Sequence, residues 1–372
     1  MKIRPFQIER YFAKYEFNVK YLLSPSDCEA LTVRELLDMA SAPSLKLWNE
    51  LGLQYTESMG HPVLRQRIAE MYQKTGPECI TILTPEEGIF LAVNAILEEG
   101  DHAVCIAPAY QSLYEVADSI GCRITPWTIE EDGNAWKLDM KKLRDSITEK
   151  TKAIIVNFPH NPTGYQPSAD EQKEIISIAG ERGLYLFWDE MYRGLELAPD
   201  RILPAACDCY DKAVSLSGLS KTYGLPGLRI GWLASRDRDF ISRIASLKDY
   251  TSICQCAPGE ILGIIALENA HRIAARNLEI VKGNLVKARD FFGRHEDIFT
   301  WFEPLAGSIA YPRLDLDEDI FRFAEEAVKE ENVMIIPSTV FDQKNGHFRI
   351  GLGRRNFPEC LDAFGRYVGR LR

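Results

Sequence analysis

One lysine, Lys221, lies among small residues in the run Ser215-Leu-Ser-Gly-Leu-Ser-Lys-Thr-Tyr-Gly-Leu-Pro-Gly-Leu-Arg-Ile-Gly-Trp232. Ser220 precedes it, Arg229 follows eight positions later, and Gly224, Gly227 and Gly231 surround the arginine. A lysine in such a setting can lose its proton when partly desolvated and form a Schiff base with a carbonyl. An arginine with small neighbours suits a dianionic phosphate, which its planar fork grips through two parallel hydrogen bonds. The pair points to pyridoxal phosphate. Taken alone, the stretch reads equally as a turn carrying a surface lysine and a structural ion-pair arginine.

Two further groups could join this chemistry. Asn157-Phe-Pro-His-Asn-Pro-Thr-Gly164 follows an apolar run, and its prolines and glycine force an irregular loop that can aim Asn161 at a ligand oxygen. A turn with an asparagine cap explains the same residues. Asp189 ends another apolar run, with Glu190 and Tyr192 behind it. An acid at the mouth of a buried strand is costly unless paired, and a pyridinium nitrogen is a suitable partner. In isolation Asp189 reads better as the cap of the following turn.

The elements that must position these groups alternate from about residue 79. Strands are expected at 79–83, 102–107, 153–158, 184–188, 213–216 and 230–234, and helices at 86–97, from about 110, and at 168–182. Short apolar runs separated by amphipathic helices imply an α/β fold with a mainly parallel sheet covered on both faces. Ligands bind such sheets where the strands end. Beyond about 258 the pattern becomes α+β: helix to about 292 with a break near 270, strand-like 301–314, helix 318–331, strands 333–336 and 347–351, and a last helix from 358. Thr32 and Glu35 form a capping-box signature, and Pro62 suits the first turn of a helix. The expected division is a large domain over 45–270 and a smaller one built from 1–44 and 271–372, with the N-terminal segment as a lid.

The chain of 372 residues has 44 basic and 54 acidic side chains, a net charge of −10, and no long basic block. That balance disfavours nucleic-acid or anionic-membrane binding. Met1-Lys-Ile-Arg-Pro-Phe6 has no apolar run fit for a signal peptide, and nine scattered cysteines without a CxxC pair suggest a reducing compartment. A cytoplasmic protein is expected. The six histidines show no ligand spacing such as HExxH, so no metal site is expected.

Taken together, Asn-Pro-Thr-Gly, Asp-Glu-x-Tyr, Ser-Lys and Gly-Leu-Arg-Ile-Gly-Trp, in that order, resemble the class I/II aminotransferases among the fold-type I pyridoxal-phosphate enzymes. The resemblance extends from Tyr55 to Arg349. It implies an aspartate-aminotransferase-like large domain with a smaller α+β domain, and Lys221 as the residue that holds the cofactor as internal aldimine and then shuttles a proton. It further implies Asp189 against the pyridine nitrogen, Asn161 and Tyr192 on the ring oxygen, and Tyr110 stacked on the ring. Arg229, Ser220 and the backbone around Glu86 and Glu87 would bind phosphate, the last at a helix N-terminus. Tyr55 matches a tyrosine that reaches the neighbouring subunit's phosphate, which implies a homodimer with shared sites. Arg349 matches the arginine that clamps the substrate α-carboxylate.

Three positions depart from the pattern. Gly218 stands where many relatives carry Ser or Thr for the phosphate, with Ser217 one position earlier. Pro85 stands where relatives offer a backbone N–H, which proline lacks. The segment Tyr21-Leu-Leu-Ser-Pro-Ser-Asp-Cys28 lacks the glycine that many relatives place over the carboxylate. The implied reaction moves an amino group from an L-amino acid to a 2-oxo acid. A lyase, a cyclising synthase or an amino-acid oxidase would keep most of these residues. A regulatory module of the same fold would need an attached DNA-binding segment, and residues 1–40 hold no convincing helix-turn-helix.

Overall fold

The computed structural model describes residues 2–371. Its central sheet has seven strands: β1 (Ile80–Leu83), β2 (His102–Ala107), β3 (Arg123–Thr128), β4 (Thr151–Asn157), β5 (Tyr185–Asp189), β6 (Ala213–Gly218) and β7 (Gly231–Ala234). Their order is β1-β7-β6-β5-β4-β2-β3. Neighbours pair in parallel except at β7, which runs antiparallel to β1 and β6. The helices that matter for the site are α1 (Gln7–Tyr15), α2 (Pro85–Ile96), α3 (Ser112–Ile120), α4 (Ala169–Glu181), α5 (Arg238–Lys248), α6 (Ala257–Glu268), α7 (Ala270–Gly293), α8 (Ile320–Glu331) and α9 (Phe357–Val368).

The two-residue period of the strands sorts their side chains between two cores. Leu83, Leu216 and Leu233 pack with Ile89 and Val93 of α2 and with Phe240 and Ile244 of α5. Ile80, Ile82, Trp232 and Ala234 face the other way, onto Ile261 and Ile264 of α6. Each such side chain, when fully buried, contributes roughly 1.5–3 kcal/mol. A third cluster joins α7, α8 and α9 through Val281, Leu285, Phe323 and Phe364, with Phe348 on a three-stranded sheet between them. Phe348–Gly351 is the central strand of that sheet, flanked by Ile309–Ala310 and Ile336–Pro337, and it carries Arg349.

The strands expected in the first 260 residues form with small changes at their ends. Three features differ from expectation. The edge strand β3 is largely exposed, so it lacks the apolar run that marks its neighbours. Residues 301–314 form an isolated bridge at Ala306 and two two-residue strands, Ile309–Ala310 and Arg313–Leu314, in different pairings rather than one strand, because the backbone turns through Gly307 at φ +86°. Helix α1 forms where no helix is expected. Its N-cap is Phe6, with no side-chain cap, so the usual start signal is missing.

Candidate active site

A cavity of about 500 Å³ opens at the carboxyl ends of the central strands. Its floor comes from strand ends and the loops that follow them. Asn157 and Asp189 are register partners at the ends of β4 and β5. The Asn157 amide donates to the Asp189 carbonyl at 3.1 Å, and Asn157 Oδ1 accepts from the Asn161 amide nitrogen at 2.8 Å. The loop between them is clamped by His160, whose ring meets Thr163 Oγ1 at 2.7 Å and the Pro108 carbonyl at 2.8 Å. Burial holds the His160 pKa down at about 3, so it serves as a neutral brace.

Asp189 is 5% exposed, and its carboxylate accepts from the Met191 amide at 3.0 Å. Burial pushes its pKa up to about 7; the Met191 hydrogen bond and the charge of Lys221 pull the other way without cancelling that effect. A cationic ring nitrogen beside it would favour the ionised form. Lys221 follows β6 in a tight turn, and its Nζ donates to Ser26 Oγ at 2.8 Å. Gly224 sustains that turn at φ +63°, where a Cβ would lie 2.7 Å from the Glu29 carbonyl oxygen.

Arg349 is 1% exposed, donating to Asn161 Oδ1 at 3.0 Å and to the Ser24 carbonyl at 3.2 Å. Burial lowers its pKa from the usual arginine value. Its Nε has no partner, and neither do the buried Tyr192 Oη and Ser220 Oγ. All three residues line the same cavity. An unpartnered buried polar atom is costly, so three around one cavity mark a place for a polar ligand. Arg229 also lines the cavity, in the left-handed conformation at φ 55°, with Nη1 donating to the Pro226 carbonyl at 3.1 Å. For a non-glycine residue that backbone costs on the order of 1 kcal/mol, the kind of strain that clusters at binding sites.

Of the residues singled out in the sequence, the cavity brings together Glu86, Tyr110, Asn161, Asp189, Tyr192, Ser220, Lys221, Arg229 and Arg349. Two lie outside it. Tyr55 is 84% exposed on another surface of the chain. The Glu87 side chain turns to Thr84, Ser252 and Gln255, accepting from the Thr84 amide at 3.3 Å. Glu86 does face the cavity, and burial raises its pKa to about 7. The amides of Glu86 and Glu87 belong to the first turn of α2, where N–H groups lack intrahelical acceptors.

Two of the departures from the family pattern, Gly218 and Pro85, meet in space. Gly218 and Gly231 are register partners on β6 and β7. A Cβ on Gly218 would come within 3.2 Å of Pro85 Cγ, and one on Gly231 within 2.8 Å. The proline ring therefore fills the space that a side chain at 218 would take. Ser217 does not replace it, because strand alternation sends it to the opposite face.

Sequence reasoning singled out none of the residues that roof the cavity. Ile8, Glu9, Phe12 and Glu16 come from α1 and its C-cap, and Pro25, Ser26, Asp27 and Arg354 close the side. The available signal was the spacing of Ile8, Tyr11, Phe12 and Tyr15 along one helical face. Arg354 lines the cavity and pairs with Asp27 at 2.6 Å. Trp136 stacks on Phe302, Lys248 is buried on the carbonyls of Ser58 and Ile253, and Tyr250 is 91% exposed.

Comparison with known proteins bears on the whole chain. Capreomycidine synthase from Streptomyces vinaceus is 28% identical over 97% of this chain and 93% of its own length. Aspartate/prephenate aminotransferase from Thermus thermophilus is 27% identical, covering 85% of this chain and 84% of its own. The crystal structure of a PLP-dependent aminotransferase from Streptococcus suis superposes with a TM-score of 0.93 at 27% identity, covering 100% of this chain and 99% of that one. The family described as aminotransferase class I and II matches residues 35–356. Asp189, Lys221, Arg229 and Arg349 meet in one cavity on a fold shared from end to end with these proteins: the chain belongs to the class I and II aminotransferases, enzymes whose cofactor is pyridoxal phosphate.

Proposed function

We propose that the protein is an aminotransferase that takes the amino group of an L-amino acid and passes it to a 2-oxo acid. The observation that carries this reading is one cavity lined by Lys221, Asp189 and a buried Arg349 with a free Nε. The bound cofactor supplies an electron sink for the carbanion formed when the substrate Cα loses its proton. The residues present fit that group. Asp189 would accept from the ring N–H and keep it protonated, and Tyr192 Oη and Asn161 would hydrogen-bond the ring oxygen. Tyr110 would pack on the ring face. Ser220, Arg229 and the first-turn amides of α2 would hold the phosphate. Lys221 Nζ would hold the cofactor and move the proton to and from the substrate Cα, and Ser26 Oγ would orient that amine. Arg349 would grip the α-carboxylate with its planar fork.

The division into a large unit over 45–270 and a smaller one over 1–44 and 271–372 goes with this reading, because the carboxylate arginine and the lysine come from different units. Tyr55, exposed on a single chain, would complete the phosphate site of a second copy in a homodimer. A cytoplasmic location is consistent with the charge and cysteine pattern. Among the described residues no helix is long and apolar enough to cross a membrane.

A cyclising synthase is the second reading, favoured by the likeness to capreomycidine synthase over 97% of the chain. Absorbance spectra of the holoenzyme, taken with a panel of amino acids and no oxo acid, separate the two. Transamination predicts bleaching of the visible band and one equivalent of 2-oxo acid per site. Repeated turnover without an oxo acid, with a cyclised product or ammonia, would replace the first reading with the second.

A further inference from the structure

The roof of the cavity carries two carboxylates that feel the cavity's cations only at a distance. Glu9 and Glu16 lie seven residues apart on one face of α1 and its C-cap, with Phe12 between them, and all three line the cavity. Glu9 accepts a hydrogen bond from the neutral Tyr110 hydroxyl at 2.8 Å. Among the described residues, neither glutamate forms an ion pair, and the Glu16 carboxylate has no hydrogen-bond partner.

The cavity's cations are already engaged or assigned. Arg354 is paired with Asp27, and Arg349 is tied to Asn161 and Ser24 with its Nε free for a carboxylate. Lys221 and Arg229 belong to the cofactor in the reading above. Burial, and then the like charges of Asp27 and Glu9, raise the Glu16 pKa; the more distant Arg354 and Lys221 lower it without cancelling that effect, and a facing cation would relieve it. The spacing also suits one ligand. The Arg349 guanidinium carbon lies 5.9 Å from the Phe12 ring centre. The two acids therefore stand about one helical turn to either side of the carboxylate clamp, roughly 5–6 Å along the axis. The unpartnered, buried Tyr192 Oη and Arg349 Nε in the same cavity independently mark it as a ligand site.

We infer that the substrate is an amino acid with a cationic distal group, an ammonium or a guanidinium, held under α1 by Glu9 and Glu16 while Arg349 holds its α-carboxylate. This rests on the amino-acid reading proposed above. Phe12 covers the apolar stem between the two ends. Glu9 and Glu16 are specificity-determining residues, because they would touch the end of the substrate remote from the reacting carbon.

The test uses the holoenzyme and near-isosteric pairs: L-lysine against L-norleucine and L-arginine against L-citrulline, with L-glutamate as the opposite charge. Bleaching of the visible band and product release are both read. The expected result is kcat/KM at least 100-fold higher for the cationic member of at least one pair. Glu9→Gln with Glu16→Gln should cut that ratio at least tenfold, chiefly through KM. A preference for the neutral or acidic members would overturn the inference and leave the amino-acid reading standing. A cationic preference unmoved by the two substitutions would overturn the role of α1. A visible band that no amino acid perturbs would sink the amino-acid reading itself, and this inference with it.

Discussion

The floor and the roof of the cavity are built on different physical terms. On the floor, Asn157 and Asp189 are placed by the register of two central strands and locked by hydrogen bonds of 3.1 and 3.0 Å to the Asp189 carbonyl and carboxylate. Their neighbours are buried on both faces of the sheet, so moving them means breaking the core. The roof is a nine-residue helix with no side-chain N-cap, shorter than helices that persist alone in water. It stays because Ile8 and Tyr11 dock on Tyr311, Val340 and Phe341, and because Arg4 bonds Glu115 and Asp342. In the reading proposed above, the rigid part holds the groups shared by any amino-acid reaction with the cofactor, and selectivity lies on a helix held by side-chain docking rather than by the sheet.

The sharpest test of the floor is Lys221→Ala. The visible band of the holoenzyme should disappear, and turnover should fall at least about 1,000-fold, read by single-turnover absorbance. Asp189→Asn should separate chemistry from stability. A carboxyl whose pKa rises to about 7 in the folded protein binds its proton more tightly there than in the unfolded chain. It therefore costs stability progressively as pH rises from about 4, the unfolded pKa, to 7. The cofactor-free variant should melt higher than cofactor-free wild type at pH 8, by on the order of 2–4 kcal/mol, and match it below about pH 4, while holoenzyme turnover drops. Equal melting at pH 8 would mean that Asp189 is already compensated.

Arg349 joins the two regions, since its strand belongs to the small sheet and its guanidinium faces Phe12. Arg349→Ala should lower kcat/KM for an α-amino acid about 100-fold through the lost charge-assisted pair, and should leave the visible band in place. The roof should respond differently. Ile8→Ala removes a buried anchor worth about 2 kcal/mol, so amide exchange within α1 should speed up roughly 30-fold. Exchange in β4 and β5 should not change. Matching acceleration in both places would erase the contrast between floor and roof.

Legibility in the sequence follows the same contrast. The strands β4 and β5 carry continuous apolar runs ending in Asn157 and Asp189, so pattern alone located them and the polar ends where ligands bind. The roles of single residues were not legible that way. Asp189 reads better as the cap of a turn until the order of all the motifs is considered together. Helix α1 escaped because its stability comes from docking on residues some 300 positions later, such as Tyr311 and Phe341, and no local cap announces it. Glu9 and Glu16 could be placed in the cavity only once that docking was known. The 301–314 stretch misled for a related reason: its apolar residues serve several partners, and Gly307 turns the chain between them.

The smallest effect probes how tightly the floor is packed. Gly218→Ser would restore the hydroxyl that many relatives have. Its Cβ would lie 3.0 Å from Gly231 Cα and from the Ile230 carbonyl oxygen, and 3.2 Å from Pro85 Cγ. Overpacking of this degree costs about 1 kcal/mol. If the glycine and the proline are one adaptation, Pro85→Ala should recover part of that loss when combined with Gly218→Ser. It would also restore an N–H at the start of α2, so the double variant should bind the cofactor more tightly than Gly218→Ser alone. The double-mutant cycle, read by melting of the cofactor-free protein and by cofactor titration, should show a coupling of at least about 0.5 kcal/mol. Strict additivity would mean that the two departures arose separately, and that this corner of the floor yields more easily than its burial suggests.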